Sequence, residues 1–174
     1  MSKIPRRALL DIFMRQKNIN LIFMAYFTVC TAESCTGGNI AHQITMVAGS
    51  SSYYVGSVVS YANEVKINTL GVPAEYIENF GAVSQQTVEA MAAGVRRLMN
   101  TDYSIATSGI AGPGGGSAEK PVGTVWMAVA DREKVYSKLC KFDGTRVEVI
   151  SQATEAAFEL FREIFGFPLA HSEK

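Results

Sequence analysis

Histidine is nearly absent: only His42 and His171 occur in 174 residues, and His171 stands in the C-terminal tail. Two histidines argue against a Ser-His-Asp triad and against a multi-histidine metal site, so hydrolytic chemistry here needs another base. Cysteine is scarce as well. Cys30, Cys35 and Cys140 form neither an even-numbered framework nor a C-x-x-C pair. That pattern fits a reducing, cytoplasmic setting and speaks against a structural zinc. An excess charge of either sign is missing too, with 16 basic and 16 acidic residues. Without a basic block there is no electrostatic footprint for a nucleic-acid partner. No run is apolar enough for a membrane span: the best, Leu21 to Cys30, falls well short of the roughly 20 residues that cross a bilayer. Lys3, Arg6 and Arg7 ahead of that run, with Cys30-Thr31-Ala32 behind it, imitate a secretory signal. Arg15, Gln16, Lys17 and Asn18 interrupt the imitation, and cleavage there would remove the strand that the following motif needs.

What is present is an ordinary globular composition, 48% hydrophobic, with no repeat and no linker, so one domain over residues 1–174 is expected. Pro5 with Leu9, Leu10, Ile12 and Phe13 suggests a first helix, and the apolar run from Leu21 to Cys30 a buried strand. Ile40, Ile44 and Val47 share one helical stripe over 39–47. Tyr53 to Tyr61 predicts a strand with Gly56 at a bulge or close approach. Asn63 suits the cap of a short helix carrying Lys66, and Pro73 opens another that Gly81 closes. Ser84 precedes an amphipathic helix with Val88, Met91, Ala92, Val95, Leu98 and Met99 inward. Tyr103 to Thr107 is a short strand. Gly123 to Ala130 and Lys134 to Phe142 form a hairpin around Asp131-Arg132-Glu133. A last helix runs from Arg146 to Phe165, stopped by Gly166 and Pro168. Together these predict an α/β layered domain with a mixed sheet.

The stretch Thr31-Ala32-Glu33-Ser34-Cys35-Thr36-Gly37-Gly38 lies where a strand feeds a helix. A helix start leaves backbone N–H groups unpaired, and these favour developing negative charge. Ser34 is therefore a candidate nucleophile, with amides from Cys35, Thr36, Gly37 and Gly38 as an oxyanion hole. An ordinary capped turn uses the same residue types. With no histidine at hand, the base falls to a lysine whose pKa burial has lowered, and Lys66, five residues after Tyr61, is the candidate. A solvated lysine on a short helix would look the same. Gly109 to Gly116 is a glycine-rich turn after a strand, not a G-x-x-x-x-G-K-[ST] loop. Its amides, with Lys120 nearby, could face one phosphate or carboxylate, or it is a mobile surface loop.

Four segments then fall in the order of one family: T-A-E-S-C-T-G-G at 31–38, S-Y-A-N-E-V-K at 60–66, G-A-V-S at 81–84 and S-G-I-A-G-P-G-G-G-S-A-E-K-P-V-G-T-V-W at 108–126. Over about residues 31–165 the chain resembles the C-terminal domain of the competence/damage-inducible protein CinA, found alone as nicotinamide-mononucleotide deamidase. The resemblance implies a three-layer α/β/α sandwich, no cofactor or metal, and a homodimer. It also implies hydrolysis of nicotinamide mononucleotide to nicotinate mononucleotide and ammonia. The family's serine, tyrosine and lysine fall on Ser34, Tyr61 and Lys66, and a tyrosine hydroxyl between the other two could relay a proton or donate to a leaving group. Gly109, Gly112, Gly114, Gly115, Lys120 and Arg146 are the further candidates for holding the nucleotide. Thr145 stands where the family often has an acid and Ile150 where it has a second arginine, and the apolar run before Thr31 is longer. Those departures keep two alternatives in view: a non-catalytic nucleotide-binding module, and a hydrolase of another small amide.

Overall fold

A computed structural model describes residues 27–166 together with Leu169. The chain is organised around β1 (Val29–Glu33), whose five residues are all buried. It pairs in parallel with β2 (Tyr54–Val59) on one side and β3 (Tyr103–Gly109) on the other. β4 (Thr124–Ala130) runs antiparallel to β3, and β5 (Val135–Lys141) antiparallel to β4. The sheet is therefore mixed, in the order β2-β1-β3-β4-β5. Alternation along the strands divides the core in two. Val29, Ile105, Val125, Met127 and Val129 meet α1 (Asn39–Thr45) and α5 (Arg146–Phe165). Cys30, Ala32, Ala106, Ala128 and Ala130 meet α4 (Gln85–Met99), with Leu70 and Val72. The small side chains on the second face let α4 pack close: a Cβ at Gly94 would strike the Leu70 carbonyl. The short helices α2 (Asn63–Asn68) and α3 (Ala74–Phe80) lie between β2 and α4 in the chain. The result is the expected three-layer α/β/α arrangement.

The sequence signals for helix ends hold in most places. The Ser84 side chain accepts from the Thr87 N–H, and Thr145 with Glu148 forms a reciprocal capping box. Gly166 closes α5 in the left-handed conformation. Gly56 sits at a register shift between β1 and β2, the expected bulge.

Other expectations change. The strand does not stop before the motif: β1 starts at Val29 and carries Thr31, Ala32 and Glu33 within it. Polar residues are tolerated there because their atoms are bonded, the Thr31 hydroxyl to that of Tyr54 and to Glu33, and the Glu33 carboxylate to four further donors described below. Residues 21–26 of the apolar run, the first helix near Leu9, and Pro168 lie outside the described residues. Ala62, not Asn63, occupies the cap of α2. β3 runs on through Ser108 and Gly109, because antiparallel pairing to β4 continues there. Leu98 is exposed, not inward. Among the described residues no helix is long and apolar enough to cross a membrane.

Candidate active site

The carboxyl ends of the three parallel strands converge, the usual place for a site in an open α/β sheet. β1 ends at Glu33, and the chain turns through Ser34-Cys35-Thr36-Gly37 into α1. The turn is held to β3 by the Ser34 N–H, which donates to the Thr107 carbonyl at 3.0 Å. On the other side the Ser60 N–H donates to the Glu33 carbonyl at 2.8 Å. α2 then brings Lys66 back toward the strand ends. Lys66 is only 1% exposed, among the largest fully buried side chains described. Its Nζ lies 3.2 Å from Ser34 Oγ, 2.6 Å from the Ser60 carbonyl and 3.3 Å from the Tyr61 carbonyl. The described ion pairs, Arg132–Asp102 and Lys138–Glu163, lie elsewhere.

That geometry accommodates either protonation state. As an ammonium, Lys66 would donate to all three oxygens. As an amine its two N–H groups satisfy the two carbonyls, and the lone pair faces the Ser34 hydroxyl, which then donates. Burial lowers the Lys66 pKa, and the Cys35 side chain and the nearby Glu64 partly oppose the shift. The Ser34 hydroxyl and the Lys66 amine are thus in direct contact.

Tyr61 is not between them. Its carbonyl accepts from Lys66, but its side chain is 63% exposed and its hydroxyl accepts from Arg146 Nη2 at 3.1 Å. The relay role expected for Tyr61 therefore does not fit the geometry, because a direct Ser34–Lys66 bond leaves nothing for it to bridge. Arg146, the first residue of α5, also donates through Nη1 to the Gly112 carbonyl at 2.7 Å. Ser34, Cys35, Tyr61, Gly109, Ala111 and Arg146 line one cleft of about 170 Å³.

The glycine turns divide. A Cβ at Gly109 would press on Val125 and on the Thr124 carbonyl, so glycine there keeps β3 and β4 paired beside the cleft. Gly112, at φ +82°, presents its carbonyl to Arg146. Gly114 and Gly115 are exposed and do not line the cleft. Nor does Lys120, whose Nζ donates to the Phe80 carbonyl at the end of α3. An anion cradle built from the whole loop and Lys120 does not form, since the loop turns outward after Pro113.

The oxyanion donors narrow as well. The Gly37 N–H donates to the Ser34 carbonyl, and the Gly38 N–H to Glu33. The N–H groups of Cys35 and Thr36 lie against the Cys35 thiol, whose pKa burial pushes up to about 12 despite them. His42 is exposed on α1.

Sequence reasoning missed Glu33. Its side chain is fully buried, and it accepts from Gly38 N–H, Ile40 N–H and Ala41 N–H at 2.8–3.0 Å and from Thr36 Oγ1 at 2.7 Å. A signal was there: α1 opens at a left-handed Gly38 with no side-chain cap, so its first amides need an acceptor from elsewhere.

Comparison with known proteins bears on this site. The family model of the CinA C-terminal domain matches residues 13–165. The chain is 49% identical over 135 residues to a CinA-like protein of Cytophaga hutchinsonii, covering 78% of this chain and 32% of that protein. It is 50% identical over 135 residues to a CinA-like protein of Endomicrobium trichonymphae, with the same coverage of each. It thus spans about a third of the length of these curated relatives. Among solved structures it resembles the competence/damage inducible protein of Agrobacterium tumefaciens. The TM-score is 0.80 at 39% identity, over 95% of this chain and 99% of that one. A CinA superfamily protein of Klebsiella pneumoniae superposes with a TM-score of 0.78 at 37% identity, covering 80% and 88%.

Proposed function

The chain belongs to the CinA C-terminal domain family, and from that premise we propose that it is a cytoplasmic amidohydrolase converting nicotinamide mononucleotide to nicotinate mononucleotide and ammonia. The observation that carries the reading is the fully buried Lys66 amine in contact with Ser34 Oγ at the edge of a cleft. A lysine is costly to bury, and one whose pKa burial lowers, in contact with a hydroxyl, is a general base in position.

Lys66 accepts the Ser34 proton as Oγ attacks the carboxamide carbon, and the carbonyl oxygen takes up the negative charge. The Cys35 and Thr36 amides are the donors of the turn left to serve it, since those of Gly37 and Gly38 are committed to the Ser34 carbonyl and Glu33. Collapse of the tetrahedral intermediate breaks the C–N bond, and the Lys66 ammonium returns its proton to the departing nitrogen, releasing ammonia. Water then enters and attacks the ester carbon as Lys66 takes its proton; the C–Oγ bond breaks, the Lys66 ammonium returns that proton to Ser34 Oγ, and the acid product leaves as its carboxylate. Neither half needs a cofactor.

The cleft, at about 170 Å³, is below the roughly 300 Å³ at which whole drug-sized ligands fit. It suits the carboxamide-bearing ring, with ribose and phosphate at the mouth beside Arg146. The same size supports a second reading, hydrolysis of another small aromatic amide. Incubation with nicotinamide mononucleotide and with free nicotinamide, following ammonia and the acid product, separates the possibilities. Release from the nucleotide supports the proposal, and release from nicotinamide alone supports the second reading. Binding without release from either would mean a nucleotide-binding module.

A further inference from the structure

Glu33 takes no part in the bond-making steps above, yet it is a fully buried acid next to the nucleophile. A carboxylate is kept out of water only where donors compensate it. Five do so here: the Gly38 N–H at 3.0 Å, the Ile40 N–H at 3.0 Å, the Ala41 N–H at 2.8 Å, the Thr36 hydroxyl at 2.7 Å and, at the longest distance, the Thr31 hydroxyl at 3.5 Å. Two of these, Ile40 and Ala41, are the first free amides of α1 and a third belongs to its cap residue Gly38, so the acid closes the helix start that Gly38, lacking a side chain, leaves open.

The bonds reach further than a cap. Because the Thr36 hydroxyl donates its proton to Glu33, it must accept from Thr107 Oγ1, 2.8 Å away. Thr107 in turn holds the Ser34 N–H on its carbonyl. Thus Glu33, Thr36, Thr107 and Ser34 form a closed circuit around the serine. On its other side the Glu33 carbonyl holds Ser60, whose carbonyl holds Lys66 Nζ at 2.6 Å. With its charge met by α1 and Thr36, Glu33 also does not serve as a counter-ion that would keep Lys66 protonated.

We infer that Glu33 is a positioning residue for the Ser34–Lys66 pair. Its carboxylate locks the Ser34–Thr36 turn to α1 and β3 and takes up helix amides that would otherwise compete for the serine or substrate oxygen. The kinetic part of this inference rests on the amidohydrolase reading above, but the structural part does not.

The test is Glu33→Gln in the full chain, with Thr36→Val as a second variant that removes only the hydroxyl link. Glutamine keeps the shape but turns an NH₂ toward donors that need an acceptor. Amide hydrogen exchange should quicken by about 10-fold or more at Gly38, Ile40 and Ala41 while α4 and α5 stay protected. With nicotinamide mononucleotide, turnover should fall by about 10- to 100-fold in each variant with KM changed by less than about 3-fold, as for a group acting on the transition-state geometry. Unchanged exchange at the three amides, or wild-type turnover in both variants, overturns the inference. If Glu33→Gln does not fold, Thr36→Val decides it through the same kcat-against-KM split. A wild-type protein without activity on the nucleotide would defeat the functional reading instead, and the exchange result would still decide the role of Glu33.

Discussion

Replacing Lys66 by methionine separates what the lysine does for the reaction from what it does for the fold. The side chains are close in length, so the apolar part of the buried channel stays filled. Two carbonyls, of Ser60 and Tyr61, lose their donor, at about 1–3 kcal/mol for each group left unsatisfied. Against this, burying the amine is itself unfavourable, as its lowered pKa records. The net loss should stay within about 2 kcal/mol, which for a domain of this size is a Tm decrease of less than roughly 8 °C. Turnover should fall by about 10³-fold or more, since a general base and the activation of the serine vanish together.

The pH dependence adds a check of sign. A lysine whose folded-state pKa lies below its unfolded value of 10.5 binds fewer protons folded than unfolded between those two values. Stability should therefore rise with pH across that window in the wild type, and this contribution should vanish in Lys66→Met. The neutral amine exists above the lowered pKa, so wild-type activity should climb with pH through it. Urea unfolding at several pH values, alongside ammonia release, measures both. A Lys66→Met protein that keeps more than a tenth of wild-type turnover would refute the assignment of the base.

Arg146→Ala should raise KM for nicotinamide mononucleotide by about 10-fold with kcat within about 3-fold, as loss of uniform binding does. Tyr61→Phe removes only the bond to Arg146, so in the same assay it should act more weakly on KM and leave the acidic limb in place. Gly94→Ala forces a methyl onto the Leu70 carbonyl and should cost about 2–4 kcal/mol in urea unfolding, or prevent folding. The homodimer implied by the family resemblance should show as twice the chain mass in light scattering at micromolar concentration, and a single-chain mass would contradict it.

Strongly periodic segments made much of this fold legible. The α4 stripe at Val88, Met91, Ala92 and Val95 is buried as its spacing requires, and α5 spans the residues its pattern marks. Ser34 and Lys66 could be named because both sit where strands give way to helices, and scarcity of histidine left few bases to consider. What pattern could not give was direction. Tyr61 lies close enough in sequence to reach the serine, yet its ring turns outward to Arg146 because only its carbonyl points at Lys66. Gly37 and Gly38 looked like free oxyanion donors because a helix start is open until something closes it. The group that does, Glu33, precedes Ala41 by eight residues and is hidden in a strand where alternation alone says little. Lys120 ends on Phe80 for a similar reason: the path of the glycine loop is set by contacts from Val122 and Gly116 that no local signal encodes.

The most direct test of the Ser34–Lys66 mechanism is ammonia release from nicotinamide mononucleotide by Ser34→Ala. This change removes one oxygen at a position only 9% exposed and leaves the described backbone bonds of the turn intact. Release should fall by about 10³-fold or more relative to wild type, with the thermal unfolding transition preserved. A Ser34→Ala protein that releases ammonia within about tenfold of the wild-type rate would contradict a serine nucleophile, and with it the role assigned to the buried lysine.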